Sequence, residues 1–194
     1  MSELNTGKTY AALYRRIDAL VKEKSKVIVA IDGSSGAGKS TLARELGRRY
    51  ESNIIHMDDF FLPEKLKTTE RMKEIGGNID YQRFYEEVIC GLQSGCAFTY
   101  GVYCCQEKAI VSTRKIEVKK INIIEGAYSM HPYYRLKADI KVFLETDKET
   151  QKKRILERNG EAMYRRFKAE WIWREQEYFE AFHIKEQCDF VYKN

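Results

Sequence analysis

The run Val27-Ile28-Val29-Ala30-Ile31-Asp32-Gly33-Ser34-Ser35-Gly36-Ala37-Gly38-Lys39-Ser40 decides the fold. Its first half is apolar and β-branched, the pattern of a buried strand. The second half is Gly33-x-x-x-x-Gly38-Lys39-Ser40, and Thr41-Leu42-Ala43-Arg44-Glu45-Leu46 then opens a helix. A strand before and a helix after make this pattern a phosphate-binding P-loop. Its glycines let successive N–H groups turn inward as a cradle for phosphate oxygens. The helix that begins at Thr41 aims its free N–H groups and positive dipole end at the same spot. Residues 33–41 are therefore the nucleotide-binding set. Lys39 supplies charge to the β- and γ-phosphates, and the Ser40 hydroxyl can hold Mg²⁺. A plain Gly/Ser-rich turn would need no Lys-Ser at its far end.

The rest of the chain follows from that start. Strand-like runs recur at Asn53–Met57, Lys120–Gly126, Ala138–Glu145 and Cys188–Tyr192, with helical spacing between them. Apolar residues at Tyr10, Leu13, Ile17, Leu20 and Val21 predict a helix over 9–24. Another is predicted over Tyr81–Leu92, after a charged loop at 64–80 with Gly76-Gly77-Asn78. A long basic helix is capped by Thr146 or Asp147 and runs to Arg158, where Asn159-Gly160 breaks it; a further helix spans Met163–Phe182. Alternating residues at 98–103 and 109–112 predict a β-hairpin insertion within 95–118. Strands alternating with helices imply an α/β three-layer fold of the P-loop NTPase type, a mostly parallel five-stranded sheet with helices on both faces. The 194 residues are read as one domain, with a helical lid at about 154–170.

Composition narrows the classes. The N-terminal eight residues have no apolar core of a signal peptide, and no apolar run reaches membrane-spanning length. Five cysteines without CxxC spacing suggest neither zinc nor a redox pair, and read as reduced thiols of a cytoplasmic protein. A net charge of +5 suits an anionic ligand but does not by itself argue for nucleic acid. His56, His131 and His183 lack metal-ligand spacing.

Phosphoryl transfer needs a phosphate cradle, a metal, a proton acceptor and cations to absorb charge in transit. Each has a candidate. Asp58 and Asp59 follow the second strand, at the sheet end where ligands bind. Asp58 is taken as the base and Asp59 as nearer the metal or the substrate rim. Glu125 ends its strand as a Walker-B-like acid, suited to a Mg²⁺-bound water opposite Ser40. Arg154 and Arg158 share a helix face. With Arg165 and Arg166 they can close over phosphates, although such side chains also serve simply as a solvated surface. Asp80 and Tyr81 either bind substrate hydroxyls or begin a helix with Asp80 as its N-cap. Tyr100 and Tyr103 either meet a flat ligand or pack across the hairpin. Trp171, Trp173, Tyr178 and Phe182 read as packing.

Together these pieces resemble the uridine kinase / phosphoribulokinase family. The resemblance rests on the P-loop, His56-Met57-Asp58-Asp59-Phe60-Phe61-Leu62-Pro63, Asn78-Ile79-Asp80-Tyr81, Tyr100, Ile124-Glu125-Gly126 and Arg154/Arg158. It is most similar to small bacterial uridine kinase-like proteins, through residues 125–132 and Trp171-x-x-x-Glu175-x-x-Tyr178. Nicotinamide riboside kinases share the Asp-Asp-Phe-Phe-x-Pro piece. The resemblance implies ATP- or GTP-dependent, Mg²⁺-assisted phosphorylation of a ribose hydroxyl on a nucleoside-like acceptor. It implies Asp58 as base, Asp80 on the ribose, Phe61 beside the nucleoside and Tyr100 on its base. Asp80-Tyr81-Gln82 replaces the family's Asp-His-Pro, and the hairpin has no counterpart of the family's base-reading His. The alternative is a P-loop ATPase with a non-nucleoside or nucleic-acid partner. A regulatory GTPase is excluded, since no Asn-Lys-x-Asp is present. Assembly as a homo-oligomer stays open.

Overall fold

The computed structural model describes residues 10–194. The reading of the first eight residues lies outside them. Helix α1 (Ala11–Glu23) leads into β1 (Val27–Gly33), the P-loop and α2 (Lys39–Tyr50). Strand β2 (Asn53–His56) ends in a 3₁₀ turn, Met57–Phe60. The charged stretch expected as loop contains a short helix, α3 (Thr69–Lys73). Helix α4 covers residues 81–94 with a π-helical turn at Tyr85–Ile89. The hairpin is β3 (Phe98–Cys104) and β4 (Ala109–Ile116), followed by β5 (Ile121–Glu125) and β6 (Ile140–Glu145). Helices α5 (Lys148–Arg166) and α6 (Ile172–Ala181) flank a π-helical turn, Phe167–Trp171, and β7 (Phe190–Lys193) closes the order.

The five-stranded sheet has the order β2-β5-β1-β6-β7, and every pairing in it is parallel. Parallel strands covered on both faces should be apolar throughout, and β5 is buried at all its residues. Its one polar interior residue, Asn122, accepts a 2.8 Å hydrogen bond from Asn53 on β2, which satisfies it. One face packs Leu13, Ile17, Leu42 and Leu46 of α1 and α2 against β1, β5 and β6. The other packs Phe84 and Val88 of α4, Tyr100 of β3 and Tyr178 of α6 against Ile55 and Ile124. Helices thus cover both faces, as the alternation implied.

The expected break at Asn159-Gly160 is a kink. Gly160 has φ 78° and ψ 172° inside α5, and helix resumes on either side of it. β1 lies between β5 and β6, while its chain continues over β5 to β2. This reversal opens a crevice at the carboxyl ends of the strands. Gly33, His56 and Glu125 all end their strands there: His56 pairs in register with Glu125, and Gly33 with Leu144.

Candidate active site

Two glycines fix the cradle. Gly33 has φ 132°, and a Cβ on it would stand 1.9 Å from the Leu144 carbonyl oxygen. Only a residue without a side chain lets β1 run so close to β6 and then turn. Gly38, at φ 96°, is the left-handed residue that directs the chain into α2. Lys39 Nζ donates to the Gly33 and Ser34 carbonyls, at 2.7 and 2.9 Å, which holds the ammonium over the loop.

The loop is held from behind by Asp32, Gln151 and Glu175, to which sequence reasoning gave no role, and by Tyr178 and Arg154, to which it gave other ones. Asp32 is fully buried; it accepts from the Gly33 N–H at 2.8 Å, the Tyr178 hydroxyl at 2.9 Å and the Met130 N–H at 3.2 Å. Burial pushes its carboxyl up to about 6, against the pull of these donors and of Lys39. Glu175 of α6 accepts from the Ser35 N–H at 2.9 Å and the Ser35 hydroxyl at 2.5 Å. Burial raises its carboxyl too. Gln151 of α5 donates to the Ser35 carbonyl at 2.9 Å, and Arg154 to the Gly36 carbonyl at 3.0 Å. Arg154 is thus part of the loop's frame. The Trp171-x-x-x-Glu175-x-x-Tyr178 pattern was the available signal: positions 175 and 178 share a helix face.

Ser40 donates to Glu125 at 3.2 Å. The other oxygen of Glu125 meets His56 Nδ1 at 2.5 Å, and this contact raises the imidazole above its ordinary value. A hydroxyl, a carboxylate and the cradle meet at one strand end, which is the hard-oxygen donor set that Mg²⁺ takes together with waters and phosphate oxygens. Among the described residues no three His, Cys, Asp or Glu side chains form a metal cluster by themselves. The site fits a cation brought with a triphosphate.

Asp58 and Asp59 diverge. Asp58 is exposed to solvent, although protein stands around most of it. That crowding, and then the charge of Glu125, raise its carboxyl above the usual range. Lys39, Arg158 and His56 are close enough to oppose the rise. Among the described residues, the Arg158 guanidinium is bonded only to Asn159 Oδ1, at 2.7 Å. Asp59 is buried; its carboxylate accepts from the Tyr100 hydroxyl at 2.9 Å and faces Arg114 at 3.7 Å. The expectation that Asp59 sits nearer the metal or substrate rim is corrected: the 3₁₀ turn rotates successive side chains apart, and this one enters the hairpin interface.

Tyr100 is also corrected. It is 1% exposed and packs on Phe60 with ring centroids 5.1 Å apart. It is a core ring whose hydroxyl holds Asp59. Asp80 is the N-cap of α4, accepting from the Arg83 N–H at 3.2 Å, with the Arg83 guanidinium at 3.5 Å. The Tyr81 hydroxyl donates to Glu74 at 2.6 Å, and its ring lies under Arg71 and against Tyr133. Arg165 pairs with Glu161 on the lid surface.

Phe61 and Arg166 do line a cleft, of about 360 Å³, between the hairpin, the loop after β2 and the turn joining α5 to α6. Tyr103, Cys105, Trp171 and Arg174 line it with them. Phe61 stands 6.2 Å from Trp171, ring centre to ring centre. Asp58 is near enough to Cys105 for its charge to act on the thiol. Asp58 thus stands within electrostatic reach of both the P-loop lysine and a residue of the cleft wall.

The model of the Phosphoribulokinase / Uridine kinase family matches residues 28–168. A uridine kinase of Clostridium perfringens strain SM101 is 28% identical over 141 residues, 66% of this chain and 65% of that protein. The chain thus spans a little under two thirds of the length of that curated relative. A solved structure of a possible uridine kinase from Bacillus stearothermophilus superposes with a TM-score of 0.65 at 20% identity, covering 93% of this chain and 99% of that one. The Saccharomyces cerevisiae protein YFH7 gives 0.66 at 14% identity, covering 98% and 99%. At these identities the superpositions speak for the fold. The family match spans the loop, the strand-end acids and α5, and the chain belongs to the Phosphoribulokinase / Uridine kinase family.

Proposed function

We propose that this chain is a kinase that moves the γ-phosphoryl group of ATP or GTP, with Mg²⁺, to a hydroxyl of a nucleoside-like acceptor. The observation that carries the reading is Asp58: a solvent-accessible carboxylate within the electrostatic reach of Lys39 and Arg158 on one side and, on the other, of Cys105 in the wall of an aromatic-lined cleft. The acceptor lies in that cleft with its hydroxyl toward Asp58, which takes the proton as the oxygen attacks. The P-loop amides and Lys39 hold the triphosphate. Mg²⁺, when bound, neutralises the phosphates, and Ser40 with Glu125 would hold it. Arg158 reaches toward the transferring group from the lid, while Arg154 keeps the loop in shape. A cytoplasmic location is part of the same reading. Among the described residues no helix is long and apolar enough to cross a membrane.

The test is an ADP-release assay with purified protein over uridine, cytidine, nicotinamide riboside, pantothenate and sugar phosphates, each with ATP and with GTP. Acceptor-dependent ADP formation with a riboside supports the reading. ATP hydrolysis that responds to RNA or DNA, and to no small acceptor, would replace it with the ATPase alternative.

A further inference from the structure

Among the described residues the Asp58 side chain makes no hydrogen bond, so its direction is set by the backbone that carries it. That backbone is the 3₁₀ turn Met57–Phe60, and α4 grips it. Arg83, whose side chain is 11% exposed, donates from Nη2 to the Asp59 carbonyl at 2.7 Å. From Nη1 it donates to the Gly101 carbonyl in the middle of β3, also at 2.7 Å. Its Cζ lies over the Phe60 ring, 4.2 Å from the ring centre. The Phe60 carbonyl accepts from the Asp80 N–H at 2.7 Å, so two consecutive carbonyls of the turn end on the start of α4. Glu87, one helical turn beyond Arg83, accepts from Nη1 at 3.2 Å and from the Gly101 N–H at 2.9 Å. Both backbone groups of Gly101 are therefore taken by an i, i+4 pair of a helix, which stands at this edge of β3 where another strand would. A Cβ at Gly101 would lie 3.4 Å from Arg83 Nη1, so the glycine leaves the guanidinium its room. Asp80, at 3.5 Å, and Glu87 balance the cation.

We propose that Arg83 is a positioning residue for Asp58: it bridges the turn that carries the base to hairpin strand β3, and so fixes the base relative to the wall of the acceptor cleft. This rests on the kinase reading above and adds to it a residue that acts without touching substrate. Tyr103 of β3 and Cys105 just beyond it line the cleft, and the charge of Asp58 acts on that thiol. A tie from the Asp58 turn to β3 therefore sets how far the base stands from a hydroxyl held against that wall. Only a planar fork can bond two carbonyls that belong to different elements; an ammonium is a single point. A reacting group displaced by about 1 Å loses up to about 100-fold in rate.

Arg83→Met keeps a stem over Phe60 and removes both bridges. It should lower kcat roughly 30-fold with the riboside that supports ADP release, and change KM for ATP less than about twofold, since the P-loop is untouched. Arg83→Lys keeps the charge between Asp80 and Glu87 but reaches one carbonyl at a time, and should recover part of the rate, to a loss of about fivefold. In the Asp58→Asn background Arg83→Met should cost less than about twofold more, because no base is left to misplace. Hydrogen exchange on the ligand-free protein reads the turn without turnover. Peptides covering residues 57–62 should exchange roughly tenfold faster in Arg83→Met, while those of β5 and the P-loop keep their wild-type rates. An equal loss of kcat with and without Asp58 overturns the proposal, as does unaltered exchange at the turn. If Arg83→Met does not fold, Arg83→Lys carries both readouts, with its fivefold loss again absent from the Asp58→Asn background. If no acceptor yields ADP with the unsubstituted protein, the kinase reading falls by itself, and the exchange measurement still decides whether Arg83 fixes the turn.

Discussion

Two adjacent aspartates, alike in the sequence, have different work because a single 3₁₀ turn sends their side chains apart. Asp58 stays open to solvent, and Asp59 is shut in by Tyr100 and Arg114. If Asp58 is the base, Asp58→Asn should lower kcat roughly 100- to 10,000-fold with little change in nucleotide affinity, since a base acts in the transition state. Steady-state rates alongside a nucleotide titration check this. The sign of the pH dependence follows from the same group. Crowding raises the Asp58 carboxyl above 3.8, and only its ionised form accepts a proton. Activity should therefore rise with pH along an acid limb displaced above that value, and the residual rate of Asp58→Asn should lack the limb. A pH–kcat profile unchanged by the substitution would remove Asp58 from the base's role. Tyr100 carries a lesson at the same scale. Its place in a hairpin suited both a ligand contact and a packing contact, and the burial of its ring selects packing.

At the scale of elements, the P-loop is framed by α5 and α6. Gln151 and Arg154 of α5 and Glu175 of α6 hold Ser35 and Gly36 from both sides. Glu175→Ala leaves the half-buried Ser35 N–H and hydroxyl without their charged acceptor, so unfolding should become easier by about 2 kcal/mol and nucleotide affinity should fall. Glu175→Gln should recover most of both, because a carboxamide can accept from the Ser35 N–H and donate to its hydroxyl. Chemical denaturation with a nucleotide titration on both variants checks the pair. Tyr178 of α6 acts one turn further on, through Asp32. The folded protein raises Asp32 from 3.8 to about 6, so the proton is held more tightly folded than unfolded. The stability this gives is complete below about 3.8 and is lost as pH rises through about 6. The Tyr178 hydroxyl matters most once Asp32 is ionised. Tyr178→Phe should therefore destabilise the fold by about 1–3 kcal/mol at pH 8 and by less at pH 5, as read by denaturation at the two values.

For the whole molecule, a ligand that binds only the folded chain must raise its stability by mass action. ATP with Mg²⁺ at a hundred times its dissociation constant should contribute about 2.7 kcal/mol, a rise in melting temperature of roughly 5–10 °C for a chain of this size. Chelating the metal should shrink the rise, and Lys39→Ala should abolish it while the unliganded melting temperature stays near that of the wild type. A full rise in Lys39→Ala would place the nucleotide elsewhere.

The order of strands and helices, the P-loop and the strand-end acids were legible in the sequence because each is a local pattern. Buried parallel strands must be continuous apolar runs, and an anion cradle must have glycine where no side chain fits. Asp80 as an N-cap was one of two local readings. What Asp59 and Tyr100 do was not legible, because their partners lie tens of residues away and burial is a property of the packed chain. Nor was the grip of Glu175, Gln151 and Asp32 on the loop, which joins residues up to 146 positions apart. The sequence determined that a phosphate cradle stands at the head of a parallel sheet. Only the tertiary structure decided which polar side chains face the cleft and which are spent within the protein, since that choice is made by distances the linear chain does not contain.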